Sequence, residues 1–140
     1  MRVFVDTSAF YALADRSDRH HREAVAAYRG LLGKAELLTT DYVLVECWFL
    51  LAHHLGREAA LRFWDALLAG IVDLVKVELA DLREARRILA EYPDQGFSLV
   101  DAANFAVLER LGIHHAFTYD THFQVYRLGP EKRGTFRIIR

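Results

Sequence analysis

Four short apolar runs, set between longer stretches rich in Ala, Leu, Arg and Glu, restrict the fold of this 140-residue chain more than any other feature. Val3, Phe4 and Val5 are β-branched or aromatic and stop at Asp6. Leu37 and Leu38 lead into Thr39 and Thr40, Ile71 to Val77 forms a third run, and His115 to Thr118 a fourth that enters Tyr119 and Asp120. Runs of this kind suit strands buried on both faces. The intervening segments are good helix formers. Asp18 to Leu32 carries Ala24, Ala27, Tyr28, Leu31 and Leu32 at helical spacing, with Arg19, Arg22, Glu23 and Arg29 for a wetter side. Asp41 is positioned to cap a helix with apolar Val43, Leu44, Cys47, Leu50 and Leu51, interrupted by Glu46. Arg57 to Leu68 and Glu78 to Leu89 supply two more helices, and Pro93 with Gly96 punctuates the chain before another. Strands alternating with helices predict an α/β fold, a three-layer α/β/α domain with a central, mainly parallel sheet. In the terminal piece, Val125 to Leu128 and Phe136 to Ile139 are β-prone, with Gly129, Pro130 and Gly134 between them.

With 53% hydrophobic residues, the chain can bury one core, so residues 1–140 are expected to form a single domain. The lone Cys47 sits among Trp48, Phe49, Leu50 and Leu51 and reads as a small buried hydrophobe, which favours a reducing, cytoplasmic setting. No signal peptide is recognisable at the N-terminus, and no stretch reaches the roughly 18 apolar residues of a bilayer span, so no membrane partner is expected. The formal net charge of −1 excludes a strong overall field. The charges are nonetheless unevenly placed. Arg127, Lys132, Arg133, Arg137 and Arg140 stand against Glu131 alone, leaving a basic end and an acidic body.

In open parallel sheets, functional residues gather beyond the carboxyl ends of the strands. Asp6 and Asp120 follow two of the predicted strands, and Asp101 falls in the first turn of the helix before the last of them. Glu46 is a carboxylate in an apolar helical stripe, where burial is expensive without a partner. Each has a local use as well. Asp6 can cap the helix at Thr7, Ser98 and Asp101 fit a capping box, and Asp120 can form a turn with Thr121. A shared Mg²⁺ or Mn²⁺, which prefers oxygen ligands, would offset the mutual repulsion of the four acids.

The stretches "VFVDTSAFYAL", "TTDYVLVECWFLL" and "FSLVDAANFAVLERLGIHHAFTYDTHF" together resemble the PIN-domain ribonucleases, specifically the small VapC-like toxins of toxin–antitoxin pairs. The resemblance spans essentially the whole chain. It implies a PIN-like nuclease domain whose metal-site and catalytic carboxylates fall on Asp6, Glu46, Asp101 and Asp120. Thr7 and Ser8 match small hydroxyl positions after the first acid, with Ser8 the better support candidate, and Ser98 lies beside the third. Thr118 can point its hydroxyl to the same rim, and Asn104, three residues beyond Asp101, can orient that carboxylate on the next helical turn. None of the paired histidines at 20 and 21, 53 and 54, or 114 and 115 has a zinc-protease spacing, and no histidine is assigned to the metal. His122 is expected to pack or to contact RNA.

The resemblance implies Mg²⁺- or Mn²⁺-dependent endonucleolytic hydrolysis of RNA phosphodiesters. Arg16, Arg127, Lys132, Arg133 and Arg137 are candidates for contacts with RNA phosphates. It also implies a small antitoxin protein as partner and a homodimer. Two other readings share these residues: an RNA-processing PIN nuclease outside a toxin pair, and a non-catalytic PIN-fold interaction protein.

Overall fold

A computed structural model describes all 140 residues. Its sheet is built from β1 (Arg2–Val5), β2 (Glu36–Thr40), β3 (Val72–Val75), β4 (His115–Phe117) and β5 (Arg137–Ile139), in the order β3-β2-β1-β4-β5. Every pairing is parallel, with Val3 opposite both Leu37 and His115, Leu37 opposite Val72, and His115 opposite Arg137. The sheet is therefore wholly parallel. The first three strands extend it in one direction, and the chain then returns to the other side of β1. That reversal creates a switch point between β1 and β4, where crossovers diverge and leave a crevice.

The helices are α1 (Thr7–Ala14), α2 (His21–Leu31), α3 (Asp41–His54), α4 (Arg57–Leu68), α5 (Leu79–Glu91), α6 (Leu99–Leu111) and the short α7 (His122–Val125). Helix α1 packs on α2 and α3, α3 on α4 and α6, and α5 on α6. Residues Asp101 to Leu108 of α6 are all buried, so the middle of this helix is enclosed on all sides, while Leu99 and Arg110 at its ends are exposed. Small Ala102, Ala103 and Ala106 allow that close approach, while Phe105 stacks on Tyr126 at 4.3 Å and meets Phe97, Phe123 and Phe136. This aromatic group fastens the C-terminal segment to α6. Gly112 ends α6 in the left-handed conformation at φ +67°, which a Cβ would strain.

Several local expectations need correction. Residues 18–20 form a turn rather than the start of α2, because the Asp18 carboxylate accepts the His20 amide at 2.9 Å. Thr40, not Asp41, caps α3: its hydroxyl accepts the Val43 amide, while Asp41 accepts the Val77 amide across the loop after β3. Val125 to Leu128 is no strand. Val125 closes α7, and Leu128 makes only an isolated antiparallel bridge to Gly134, since the Arg127 guanidinium caps the carbonyls of Gln124 and Val125. Cys47 is buried as expected.

Candidate functional site

Asp6 follows β1 directly and its amide still donates to Phe117 O of β4 at 3.1 Å. It occupies the N-cap position of α1, yet its side chain makes no capping bond. Instead, Oδ2 accepts from Ser8 Oγ at 3.1 Å and from Thr118 Oγ1 at 2.9 Å. Behind them, the Tyr119 amide donates to Ser8 Oγ and the Asp120 amide to Thr118 Oγ1. Two backbone amides thus feed two hydroxyls that converge on one carboxylate oxygen. These bonds favour the charged form, but burial at 4% exposure outweighs them and, with the charge of Asp120, lifts the Asp6 carboxyl to about 7.

Asp101 is the third residue of α6 and forms a capping box with Ser98. Its Oδ2 accepts the Ser98 amide at 2.9 Å, and Ser98 Oγ accepts the Asp101 amide at 3.0 Å. The same Oδ2 meets His122 Nδ1 at 2.8 Å. On the β4–α7 turn, Asp120 Oδ1 accepts the His122 amide at 2.9 Å and lies 3.5 Å from the ring nitrogen. Asp120 therefore does form a turn, and that turn aims His122 at Asp101. Asp101, Asp120 and His122 bring ligand atoms within 4.8 Å of one another, close enough to share one cation.

Glu46 lies on α3, and burial raises its carboxyl pKa, with Asp101 and Asp120 pushing the same way. Asp6, Glu46 and Asp120 line one cleft of about 350 Å³, together with Thr7 and Ser8. Asp120 belongs to both groupings and joins them. Thr7 Oγ1 is buried in this cleft with no partner at hydrogen-bond distance, but it faces Glu46 closely enough to offset part of the rise in that carboxyl's pKa. Four carboxylates, a hydroxyl oxygen and one imidazole form an oxygen-rich donor set suited to a divalent cation. A cation there would relieve both the repulsion and the burial cost.

Among the support candidates, Ser8, Ser98 and Thr118 touch the acids directly. Asn104 behaves differently from expectation. It is fully buried, its Oδ1 accepts from Thr40 Oγ1 at 2.6 Å, and its Nδ2 has no partner, so it ties α6 to the start of α3 and makes no hydrogen bond to Asp101. The sequence marks His122 only for packing or RNA contact, and its bond to Asp101 is not evident there because a histidine two residues after Asp120 matches no zinc-site spacing. Its signal is the Asp-x-His order, in which the carboxylate accepts the amide two residues on and fixes the ring's direction.

The candidate phosphate contacts divide. Arg127 donates to the carbonyls of Gln124 and Val125 at the end of α7 and has no carboxylate partner, Lys132 Nζ pairs with Glu91 at 2.7 Å, and Arg133 faces Glu131 at 3.6 Å on the surface. Arg137 opens β5, and Arg16 is exposed in the turn between α1 and α2. Arg140 follows β5 at the carboxyl rim, near enough to act on Tyr119.

The PIN domain family model matches residues 3–128. The 23S rRNA-specific endonuclease VapC20 of Mycobacterium tuberculosis is 34% identical over 122 residues, covering 86% of this chain and 91% of that protein. Its crystal structure, that of a sarcin–ricin loop cleaving toxin, superposes with a TM-score of 0.82 over 88% of this chain and 93% of that one, at 29% identity. Ribonuclease VapC26 of the same organism is 30% identical, over 98% of this chain and 99% of its own. VapBC2 from Rickettsia felis, solved bound to a DNA fragment from its promoter, shares the fold at a TM-score of 0.73 and 10% identity, with all of both chains covered.

Proposed function

The chain belongs to the PIN-domain family, and we propose that it is an endoribonuclease dependent on Mg²⁺ or Mn²⁺, the toxin of a toxin–antitoxin pair. The observation that carries the reading is the convergence of a buried carboxylate, Asp6, with Glu46 and Asp120 on one cleft, and of Asp120 with Asp101 and His122. So much desolvated negative charge serves no packing purpose. A divalent cation bound there supplies charge stabilisation for the phosphoryl oxygens and favours ionisation of the attacking water.

Asp6, Asp101 and Asp120 hold the cation in this reading, and Glu46 completes the set. Glu46 is also suited to accept a proton from water, because burial and its acidic neighbours make it more basic than an ordinary glutamate. Ser8 and Thr118 keep Asp6 Oδ2 aimed by donating to it, and Ser98 fixes Asp101 from behind. His122 orients Asp101 and Asp120 through its Nδ1 edge or lends that nitrogen as a further ligand. The Asp6 carboxyl, raised to about 7, must lose its proton to bind a cation, so activity rises with pH through the neutral range.

RNA is the substrate, with 23S rRNA the first target to test because VapC20 is named for it. A small antitoxin protein, a homodimer and a cytoplasmic location complete the proposal; no helix is long and apolar enough to cross a membrane. The assay compares RNA cleavage in Mg²⁺, Mn²⁺ and chelator by the wild type and by Asp6→Asn and Asp101→Asn, with folding checked by circular dichroism. Cleavage should need the metal and fall at least ~100-fold in each variant, on the order of the loss of several kcal/mol of charge stabilisation. Metal-independent cleavage that persists in both folded variants would sink the mechanism.

A further inference from the structure

Resting on the reading of the cleft as an RNA-cleaving centre, the geometry points to a nucleobase seat on its wall, formed by the stacked rings of His20 and Tyr119. Their centroids lie 4.3 Å apart with an interplanar angle of 11°. Both residues line the same cleft as Asp6, Glu46 and Asp120. Tyr119 is the chain neighbour of Asp120, and its amide donates to the Ser8 hydroxyl that supports Asp6, so the stack is fixed to the carboxylate framework.

Two features separate this pair from ordinary packing. The stack sits on a cleft wall instead of in the aromatic core around Phe105, and the His20 side chain keeps 31% of its surface open.

The charges nearby select which end of a nucleotide would enter. Asp18 and Glu23 act on Tyr119, with Arg140 opposing them, and on His20 the Arg19 Nε donates to Nε2 at 3.2 Å while Glu23 lies 3.9 Å from Nδ1. Asp18 also lines the cleft. Carboxylates repel a phosphate but accept hydrogen bonds from the amino groups of bases. With two carboxylates set against Arg19 and Arg140, the stack itself is close to neutral and suits the uncharged base, while the phosphate lies toward the cation site. Extending a parallel aromatic stack by one unpaired base is the usual way proteins hold single-stranded RNA. The occupant is the base flanking the scissile phosphate, splayed from its neighbours.

The test begins by mapping the cleavage site on total RNA with Mn²⁺. An oligonucleotide spanning it is then made with 2-aminopurine or an abasic residue at each flanking position. Bound to the Asp101→Asn protein, one flanking 2-aminopurine should be quenched. Adding His20→Ala should relieve the quenching and weaken binding about 10-fold, within the range of one base–aromatic stack. His20→Phe should restore both. In the otherwise unaltered enzyme, His20→Ala should raise KM by a similar factor with a smaller change in kcat, and should have no further effect on the abasic RNA. Because His20 stands at the start of α2, Tyr119→Leu is the second variant, and it too should relieve the quenching. Wild-type quenching and KM in either folded variant would overturn the base seat while leaving RNA cleavage intact. Failure of the wild type to cleave any RNA would remove the catalytic reading and the seat together.

Discussion

Asp6 serves two opposed demands. As a residue at the end of a buried strand it has little access to water, and as a cation ligand it must be charged. The hydroxyls of Ser8 and Thr118 favour the charge, but burial wins and raises the carboxyl to about 7. Without metal, the folded state therefore holds a proton that the unfolded chain has released at pH values between about 4 and 7. The resulting contribution to stability is fully present at low pH and lost as pH rises through about 7. Asp6→Asn removes this one titration. In chelator, urea denaturation should show the variant gaining stability relative to wild type between pH 5 and pH 7 and little more up to pH 8, by at most about 3 kcal/mol at roughly 1.4 kcal/mol per pH unit. Parallel pH profiles for the two proteins would contradict the account. Asp6 was legible because strand and acid are adjacent in sequence. Thr118 was legible for the same reason, one strand away. Asn104 was not, since the spacing from Asp101 cannot reveal that Thr40, distant in sequence, takes its carbonyl.

Among the elements, α6 separates stability from function at its two ends. Its N-terminus carries Ser98, whose hydroxyl accepts the Asp101 amide and whose own amide holds the carboxylate. Its C-terminus carries Gly112, left-handed, with open space for at least 4 Å around the point a Cβ would occupy. Ser98→Ala should cost about 1 kcal/mol for the lost cap. Gly112→Ala should cost a similar amount, about 1–2 kcal/mol, through backbone strain alone. Each should lower Tm by roughly 3–6 °C. Only Ser98→Ala should also lower kcat, and modestly, because the lost hydroxyl cap loosens the turn while the Ser98 amide that holds the Asp101 carboxylate is retained. Equal loss of kcat in both variants, measured well below either Tm, would show that activity follows stability alone. The capping box was readable at this scale from Ser98 and Asp101, and the strands from their β-branched and aromatic runs. The piece after Asp120 was not, because Val125 and Tyr126 have β-prone side chains but the Asp120 turn and the Arg127 cap hold His122 to Val125 as helix.

At the scale of the molecule, the near-neutral charge conceals an arrangement that position along the chain only half reveals. The basic end and acidic body exist in sequence, yet folding brings part of that end back onto acids: Lys132 to Glu91 on α5, and the turn before it to Glu109, which accepts Tyr126 Oη and the Gly129 amide. Sequence shows how many cations a tail holds but not which ones a neighbouring helix neutralises. Arg16 and Arg140 have no carboxylate partner, and Arg127 donates only to neutral carbonyls and keeps its charge. By contrast, Lys132 is matched by Glu91, Arg133 faces Glu131, and Arg137 opens β5 at the end of the sheet away from the acids. Binding of single-stranded RNA releases counterions in proportion to the phosphates neutralised, about 0.7 per contact. Three free cations therefore predict a slope near about −2 for log K against log salt, whereas the five contacts counted from sequence would give about −3.5. Anisotropy titrations of a labelled oligonucleotide with the Asp101→Asn protein in chelator measure this slope directly. Arg140→Gln should flatten it by about 0.7, since this residue stands at the rim beside Tyr119. Lys132→Gln should leave it unchanged, because its charge is already matched by Glu91. A slope of about −3.5 that flattens with Lys132→Gln would mean that the tail unfastens from α5 to grip RNA, and the fixed arrangement of charges would be wrong.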